Sequence, residues 1–247
     1  MRLIVVGSGD AFGSGGRTNT CFWLETARGT LLVDCGASAL PALKACRLDP
    51  NRIQAVVLSH LHGDHFGGLP FLLLDAQLLS RREEPLLIAG PPGTRERLKA
   101  LLEIVFPKSS GSKWKFTWRV EEVAVGVPTE VLGHSVTSTE VVHQTGAPST
   151  AVRIADGHRV FAYSGDTEWT DALLPIAEES DLFVCECFGY SGKITGHLSW
   201  EILKSKLLRL RPRRTMVTHM NPSVLANLDE IRATGVLIAE DGLTIEF

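Results

Sequence analysis

The sequence predicts an α/β chain in which two sheets lie back to back with helices outside them. Three observations carry that expectation. Short apolar or β-branched runs bounded by glycine-rich turns recur along the chain, a few helical stretches fall between them, and the alternation repeats in two similar halves. No segment reads as a linker, so residues 1–247 are expected to form one domain.

In the first half, Leu3–Val6, Asn19–Glu25 and Thr30–Asp34 read as strands. The glycine-rich segment Gly7 to Gly16 lacks the spacing of a dinucleotide fingerprint, because strand-like Thr18–Leu24 follows where a helix is required. It reads as a shaped loop near a site, with a plain connection as the alternative. Ser38–Cys46 is a short helix and Ile53–Ser59 a buried strand. Leu69–Leu79 is a helix opened by Pro70. Leu86–Ala89 is a strand, and Gly90-Pro-Pro-Gly93 a turn after which Thr94 caps a helix to about Val105.

The second half begins with strands at Phe116–Val123, Val136–Val142, Ser149–Ala155 and Arg159–Ser164, the last two joined through a turn at Asp156-Gly157. Helices fit Thr170–Glu178 and Leu198–Leu208. Strands at Leu182–Cys187, Thr215–Thr218, Gly235–Ile238 and Leu243–Glu246 complete the pattern.

Composition excludes several classes. Lys plus Arg is 25 against 28 for Asp plus Glu, a net charge of -3, which argues against holding nucleic acid by bulk electrostatics. The densest apolar stretch, Phe71–Leu79, is broken by Asp75 and Gln77 and falls short of the roughly 18–20 residues of a spanning helix, so no membrane partner is expected. The run Leu3–Val6 is shorter than the about 7–15 residues of a signal-peptide core. Cys21, Cys35, Cys46, Cys185 and Cys187 form an odd set without C-x-x-C spacing and read as free thiols of a cytoplasmic protein.

The chemistry concentrates in Ser59-His60-Leu61-His62-Gly63-Asp64-His65-Phe66-Gly67-Gly68, directly after the buried strand. Histidines and a carboxylate packed this densely, with glycines allowing tight bends, present the nitrogen and oxygen donors that a borderline divalent cation takes. Further donors at the ends of apolar runs are His143, Asp166 and His219. Together they allow His60, His62 and His143 on one ion, Asp64, His65 and His219 on another, and Asp166 bridging. Zn²⁺ suits this set; Mn²⁺ and Fe²⁺ are alternatives. His134 and His158 are expected to face solvent.

On these residues the chain resembles the metallo-β-lactamase superfamily. Asp34 in Leu32-Val-Asp-Cys-Gly36 matches its first motif, H-x-H-x-D-H the second, and His143, Asp166 and His219 the third to fifth, in order. The resemblance implies a four-layer αββα sandwich with the metal site at one edge of the two sheets, Asp34 supporting the site loop without binding metal. Gly7–Gly13, Gly90–Gly93, Asp181–Phe188 and Gly196-His-Leu-Ser199 are similar to the ribonuclease Z-like, phosphodiesterase branch. There His197 would stabilise charge or protonate the leaving oxygen, Asp64 would take a proton from the metal-activated water, and Glu186 would hydrogen-bond a ligand histidine. One departure matters: His143 and Asp166 stand 23 positions apart, which leaves no room for the tRNA-gripping arm of bacterial ribonuclease Z.

The resemblance therefore implies a two-metal hydrolase of small nucleotides or short oligonucleotides, with a metal-held hydroxide as nucleophile. A ribonuclease Z-type endonuclease, an ester, lactone or thioester hydrolase, and a non-catalytic metal-bearing binding module are the alternatives. A homodimer is the expected assembly, as in similar proteins. The segment Phe106–Arg119, with four cations and four aromatics, is either a loop offering Lys108, Lys113 or Trp114 to substrate or a solvated connection. The six cations of Lys204–Arg214 are accounted for by a helix C-terminus and solvation.

Overall fold

In the computed structural model, which describes residues 1–247 apart from the side chain of Ser110, two seven-stranded sheets face each other. The chain runs β1 (Arg2–Gly7), β2 (Cys21–Thr26), β3 (Gly29–Val33), α1 (Ala39–Ala45), β4 (Ile53–Val57), α2 (Gly63–Phe66), α3 (Leu69–Leu78), β5 (Leu86–Gly90), α4 (Thr94–Val105) and β6 (Trp118–Glu122). It continues through β7 (Thr129–Val131), β8 (His134–Glu140), β9 (Thr150–Ala155), β10 (Val160–Tyr163), α5 (Leu173–Ala177), β11 (Leu182–Glu186) and α6 (Trp200–Leu210). It closes with β12 (Thr215–Thr218), α7 (Pro222–Leu225), α8 (Leu228–Arg232), β13 (Leu237–Ile238) and β14 (Thr244–Glu246).

The first sheet has the order β14-β1-β2-β3-β4-β5-β6 and the second β13-β12-β11-β10-β9-β8-β7. Each half is built alike. An antiparallel meander, β1-β2-β3 or β8-β9-β10, leads into a parallel run, β3 to β6 or β10 to β13. The near-continuous apolar strands follow from burial on both faces, which removes the usual polar alternation. In β1, Leu3 and Val5 point into the layer between the sheets while Ile4 and Val6 point outward under helices. In β11, Leu182 and Val184 face inward while Phe183 and Cys185 face α5 and α6. Each fully buried side chain of this size contributes about 1.5–3 kcal/mol.

The helices sit on the outer faces, as the sandwich reading requires: Leu43, Leu69, Leu73 and Leu98 cover the first sheet, and Leu173, Trp200, Leu203 and Ile231 the second. Among the described residues no helix is long and apolar enough to cross a membrane.

Several local expectations need correction. Gly93, at φ +94, is the residue before α4, and Thr94 is its first helical residue, its hydroxyl donating to the Pro91 carbonyl. The segment Thr170–Glu178 yields only a five-residue helix, and α6 starts at Trp200, two residues later than expected. Strand β7 and helices α2, α7 and α8 are too short to carry a periodic signal. His134 does not face solvent: it is fully buried, because the β7–β8 turn folds its ring under the sheet edge. There Nδ1 donates to the Val131 carbonyl and Nε2 meets Thr26 Oγ1. His158 is exposed.

At the edge opposite the strand ends that carry the histidines, Asp181 staples β10 to β11. Its Oδ2 accepts Val160 N–H at 2.8 Å, its own N–H donates to Val160 O, and Oδ1 accepts from Arg159 and Arg213. Burial opposes the charge, but Val160 N–H and the two guanidiniums hold the carboxyl below its usual pKa. Asp181→Ala is expected to lose about 1–3 kcal/mol at pH 7, seen as a lower thermal midpoint. A depressed folded-state pKa gives stability that is complete above the unfolded value of about 3.9 and fades as pH falls through the folded value. The gap between the two proteins therefore narrows below about pH 4; a gap that widens on acidification overturns this assignment.

Candidate metal centre

The carboxyl ends of the parallel strands converge at one edge of the sandwich, the usual place for a site in such sheets. Asp34 follows β3, His60 to His65 follow β4, Asp166 follows β10, Glu186 ends β11 and His219 follows β12. His143 comes from the segment after β8. The segment 59–68 is laid against 34–37 by paired backbone bonds, Cys35 N–H to His65 O and Gly68 N–H to Cys35 O. That approach requires glycine at two places. A Cβ at Gly36 would meet Asp64 O at 2.0 Å, and one at Gly68 would meet Gly36 O at 2.2 Å.

The seven predicted residues come together in two groups. His60, His62 and His143 form one, and Asp64, His65, Asp166 and His219 the other, the donor atoms in each lying within 4.8 Å of one another. Asp166 Oδ2 stands between them, 3.3 Å from Nε2 of His65 and of His219 and 3.9 Å from Nε2 of His60 and of His143.

Rear hydrogen bonds aim the rings. His65 Nδ1 donates to Asp34 Oδ2 at 2.7 Å, and His143 Nδ1 to the Gly196 carbonyl at 2.7 Å. The Ser59 hydroxyl gives its proton to Asp34 Oδ2, so its lone pair receives His60 Nδ1 at 3.0 Å. Thr20 Oγ1 likewise donates to Gly9 O and faces His219 Nδ1 at 3.3 Å. For His60, His143 and His219 this leaves Nε2 as a lone pair turned inward. Within the protein, buried His60 Nε2 and Asp166 Oδ1 have no hydrogen-bond partner. An unpaired buried acceptor costs about 1–3 kcal/mol, and several inward lone pairs beside carboxylates fit a divalent cation. His143 Nε2 also lies only 3.0 Å from His62 Nδ1.

Electrostatics agree with that fit at three of the histidines, and at His65 a bound cation would take the place of a proton. Burial pushes His60, His143 and His219 down, which keeps them neutral. Burial also opposes charge on His65, yet the Asp166 and Asp64 carboxylates hold its proton well above the usual range. Burial raises Asp34 against its bonds from His65 and Ser59. Both Asp34 (φ +58) and His219 (φ +59) occupy the left-handed region that non-glycine residues avoid, strain of the kind found at functional sites.

His197 lies in the loop before α6, stacked between Phe188 at 4.6 Å and His219 at 5.6 Å. Its Nδ1 faces Glu186 Oε1 at 3.0 Å and Asp166 Oδ2 at 4.0 Å. Glu186 was expected to bond a ligand histidine. It instead holds His197 and accepts the N–H groups of Thr167 and Phe188, with burial pushing its pKa up to about 7. Sequence reasoning assigned no role to Ser59, Thr20 or the Gly196 carbonyl. Ser59 and Gly196 adjoin the motifs, and Thr20 carries no such signal.

The glycine-rich loop backs His219, since His219 N–H donates to Ser8 O. Asp241 fixes that loop by accepting the N–H and hydroxyl of both Ser8 and Thr18. The segment 106–119 packs on the outer helices: Phe106 meets Phe71, Trp114 meets Phe116 and Trp118, and Gln77 bonds the backbone of Lys113 and Lys115.

Comparison with known proteins bears on this centre. The family model described as Anti-Pycsar protein Apyc1 matches residues 1–238. The chain is 33% identical over 159 residues to a ribonuclease Z from Anoxybacillus flavithermus, covering 63% of this chain and about half, 48%, of that one. It is 26% identical over 205 residues to the probable metallo-hydrolase YhfI of Bacillus subtilis, covering 81% and 78%. The YhfI crystal structure, a metallo-β-lactamase fold protein, matches with TM-score 0.82 at 23% identity over 100% and 99% of the chains. Human tRNase Z, short form, matches with TM-score 0.79 at 24% identity, again over 100% and 99%. These likenesses establish the αββα metallo-β-lactamase sandwich.

Asp34→Asn keeps the shape of the side chain but removes the charge that His65 and Ser59 address. Divalent-metal affinity, measured by chelator competition, is expected to fall about 10–100-fold. Unchanged affinity removes Asp34 from its supporting role.

Proposed function

We propose, for a metallo-hydrolase that belongs to the family of the Anti-Pycsar protein Apyc1, that it cleaves phosphodiester bonds of small nucleotides or short oligonucleotides. The observation that carries the reading is the single Asp166 oxygen shared between two histidine groups, with the Glu186-held His197 beside it. His60, His62 and His143 would hold one divalent ion and Asp64, His65 and His219 a second, with Asp166 common to both. Zn²⁺ is the favoured metal. When bound, the ions supply an activated water and neutralise charge on phosphoryl oxygens.

The protein's own groups do the rest. Asp64, the most exposed carboxylate of the centre at 11%, accepts the proton of the attacking water. His197 keeps Nε2 for the substrate because Nδ1 is engaged by Glu186, and burial opposes while Glu186 raises its pKa, so it retains a proton for the leaving oxygen. Small size is supported by the interval from His143 to Asp166, which strands β9 and β10 occupy.

The residues 1–247 act as one hydrolase domain in a reducing cytoplasm, consistent with five free cysteines. The partner is a second copy of the chain. Leu78 and Leu79 at the end of α3 and Ile104 on α4 offer it exposed apolar side chains.

Metal-reconstituted protein assayed on bis-p-nitrophenyl phosphate, acyl esters and precursor tRNA tests the reading. Phosphodiester turnover is expected, with little on tRNA. His197→Ala should cost about 10²–10⁴-fold in kcat, and Asp166→Ala should abolish activity together with metal retention. Turnover of acyl esters alone sinks the proposal, and efficient tRNA cleavage replaces it with the ribonuclease Z reading.

A further inference from the structure

A carboxylate outside both histidine groups ties the two sides of the centre together. Glu168 Oε1 accepts Gly196 N–H at 3.0 Å. The other face of that residue, the Gly196 carbonyl, is the acceptor that aims His143 through Nδ1 at 2.7 Å. The next residue in the chain is His197. Gly196 therefore carries a bond to each side, and its position is unforgiving: it has φ +78, and a Cβ there would lie 3.0 Å from His143 Nδ1.

The base from which Glu168 reaches Gly196 is itself fixed to the same centre. Glu168 N–H donates to Val142 O at 3.0 Å, and Val142 N–H donates to Thr167 Oγ1 at 3.1 Å, next to His143. Thr167 N–H donates to Glu186 Oε1, the oxygen that also receives His197 Nδ1. By contrast, the stretch from Ser191 to Thr195 is mostly exposed, and outside the Glu168 contacts its ties are Gly192 N–H to Glu201 and a local turn to His197.

We propose that Glu168 is a positioning residue whose bond to Gly196 N–H fixes the tautomer and direction of His143 and the placement of His197. This rests on the roles given above to those two histidines, but its structural half stands apart from any activity. The acceptor oxygen is the operative feature and the ion pair to Lys193, 3.3 Å away and with Lys193 78% exposed, is not.

Three variants separate the possibilities. In metal-free protein, long-range ¹H–¹⁵N spectra of the imidazoles should show His143 as the Nδ1–H tautomer in wild type, Glu168→Gln and Lys193→Ala, and as a mixture in Glu168→Ala. In reconstituted protein, Glu168→Ala should lower kcat on bis-p-nitrophenyl phosphate about 10-fold, with KM within about twofold, and Glu168→Gln should restore it because its amide oxygen still accepts the N–H. An unchanged His143 tautomer in Glu168→Ala overturns the proposal. Equal loss in Glu168→Gln and Glu168→Ala overturns the claim that the acceptor matters. Should wild type turn over no phosphodiester, the function assigned above fails while the imidazole spectra still decide the role of Glu168.

Discussion

The carboxylate of Asp34 is the constraint on which the rest of the centre depends. It is completely buried, sits at φ +58, and accepts three hydrogen bonds: Ser59 N–H, Ser59 Oγ–H and His65 Nδ1–H. Each bond has a structural consequence. The two from Ser59 end β4 at one place and start the histidine segment in one direction. The bond from His65 fixes which nitrogen faces inward. Ser59 in turn passes order to the other sheet, because its carbonyl accepts both the N–H and the hydroxyl of Thr150 at the start of β9. One buried charge is thereby linked through Ser59 to both sheets at the edge that carries the histidines. A charged acceptor with several donors contributes more per bond than a neutral one, about 1.5–3 kcal/mol, which counters part of the cost of its burial.

The same logic recurs around the centre, where the two halves of the chain meet. Asp34 follows β3 and Asp166 follows β10, the corresponding strands of the two similar sheets. One carboxylate points back to hold a histidine and the other points in among the imidazoles. A pair of equivalent positions has been put to opposite uses by a difference in the turn: Asp34 leaves the strand directly, whereas Ser164 and Gly165 intervene before Asp166. Gly165 permits this, since a Cβ there would meet Thr150 O at 2.5 Å. Inward-facing imidazoles that burial keeps neutral, beside carboxylates that their neighbours keep charged, make a pocket whose balance is completed by positive charge.

The sequence announced this arrangement unevenly, for physical reasons. Strands buried on both faces, such as Leu3–Val6 and Leu182–Cys185, are unmistakable because burial suppresses every polar residue in them. The ligand-type residues are equally plain, because His, Asp and Gly packed into His60–Gly68 serve no purpose in a core. What does not show is anything that depends on two distant segments meeting. His134 reads as solvent-facing, and only the β7–β8 hairpin beside Thr26 explains its burial. Glu186 reads the same whether it bonds a ligand histidine or His197, and only the path of the loop before α6 decides. Backbone acceptors such as Gly196 O leave no trace in side-chain chemistry at all.

Size and charge then take on a meaning that they lacked in isolation. The interval between His143 and Asp166 is spent on β9 and β10, whose residues Ala151, Val152, Ile154, Phe161 and Tyr163 are all buried in the two apolar layers. Extending it would interrupt a hairpin, β9 against β10, that also carries Thr150 to Ser59 and Asp166 to the histidines. A substrate-gripping extension there would therefore compete with the bonds that place the centre. With a net charge of -3 and its exposed cations around α6 paired to Asp171, Glu178, Asp181 and Glu230, the chain offers little diffuse attraction for a long polyanion. Positive charge able to meet a phosphate at the centre is thereby left to His197 and to what the histidine and aspartate cluster can hold. A site whose attraction is this local favours a ligand small enough for it to dominate the binding, and this is the physical link between a chain without a gripping extension and the short phosphodiester proposed as its substrate.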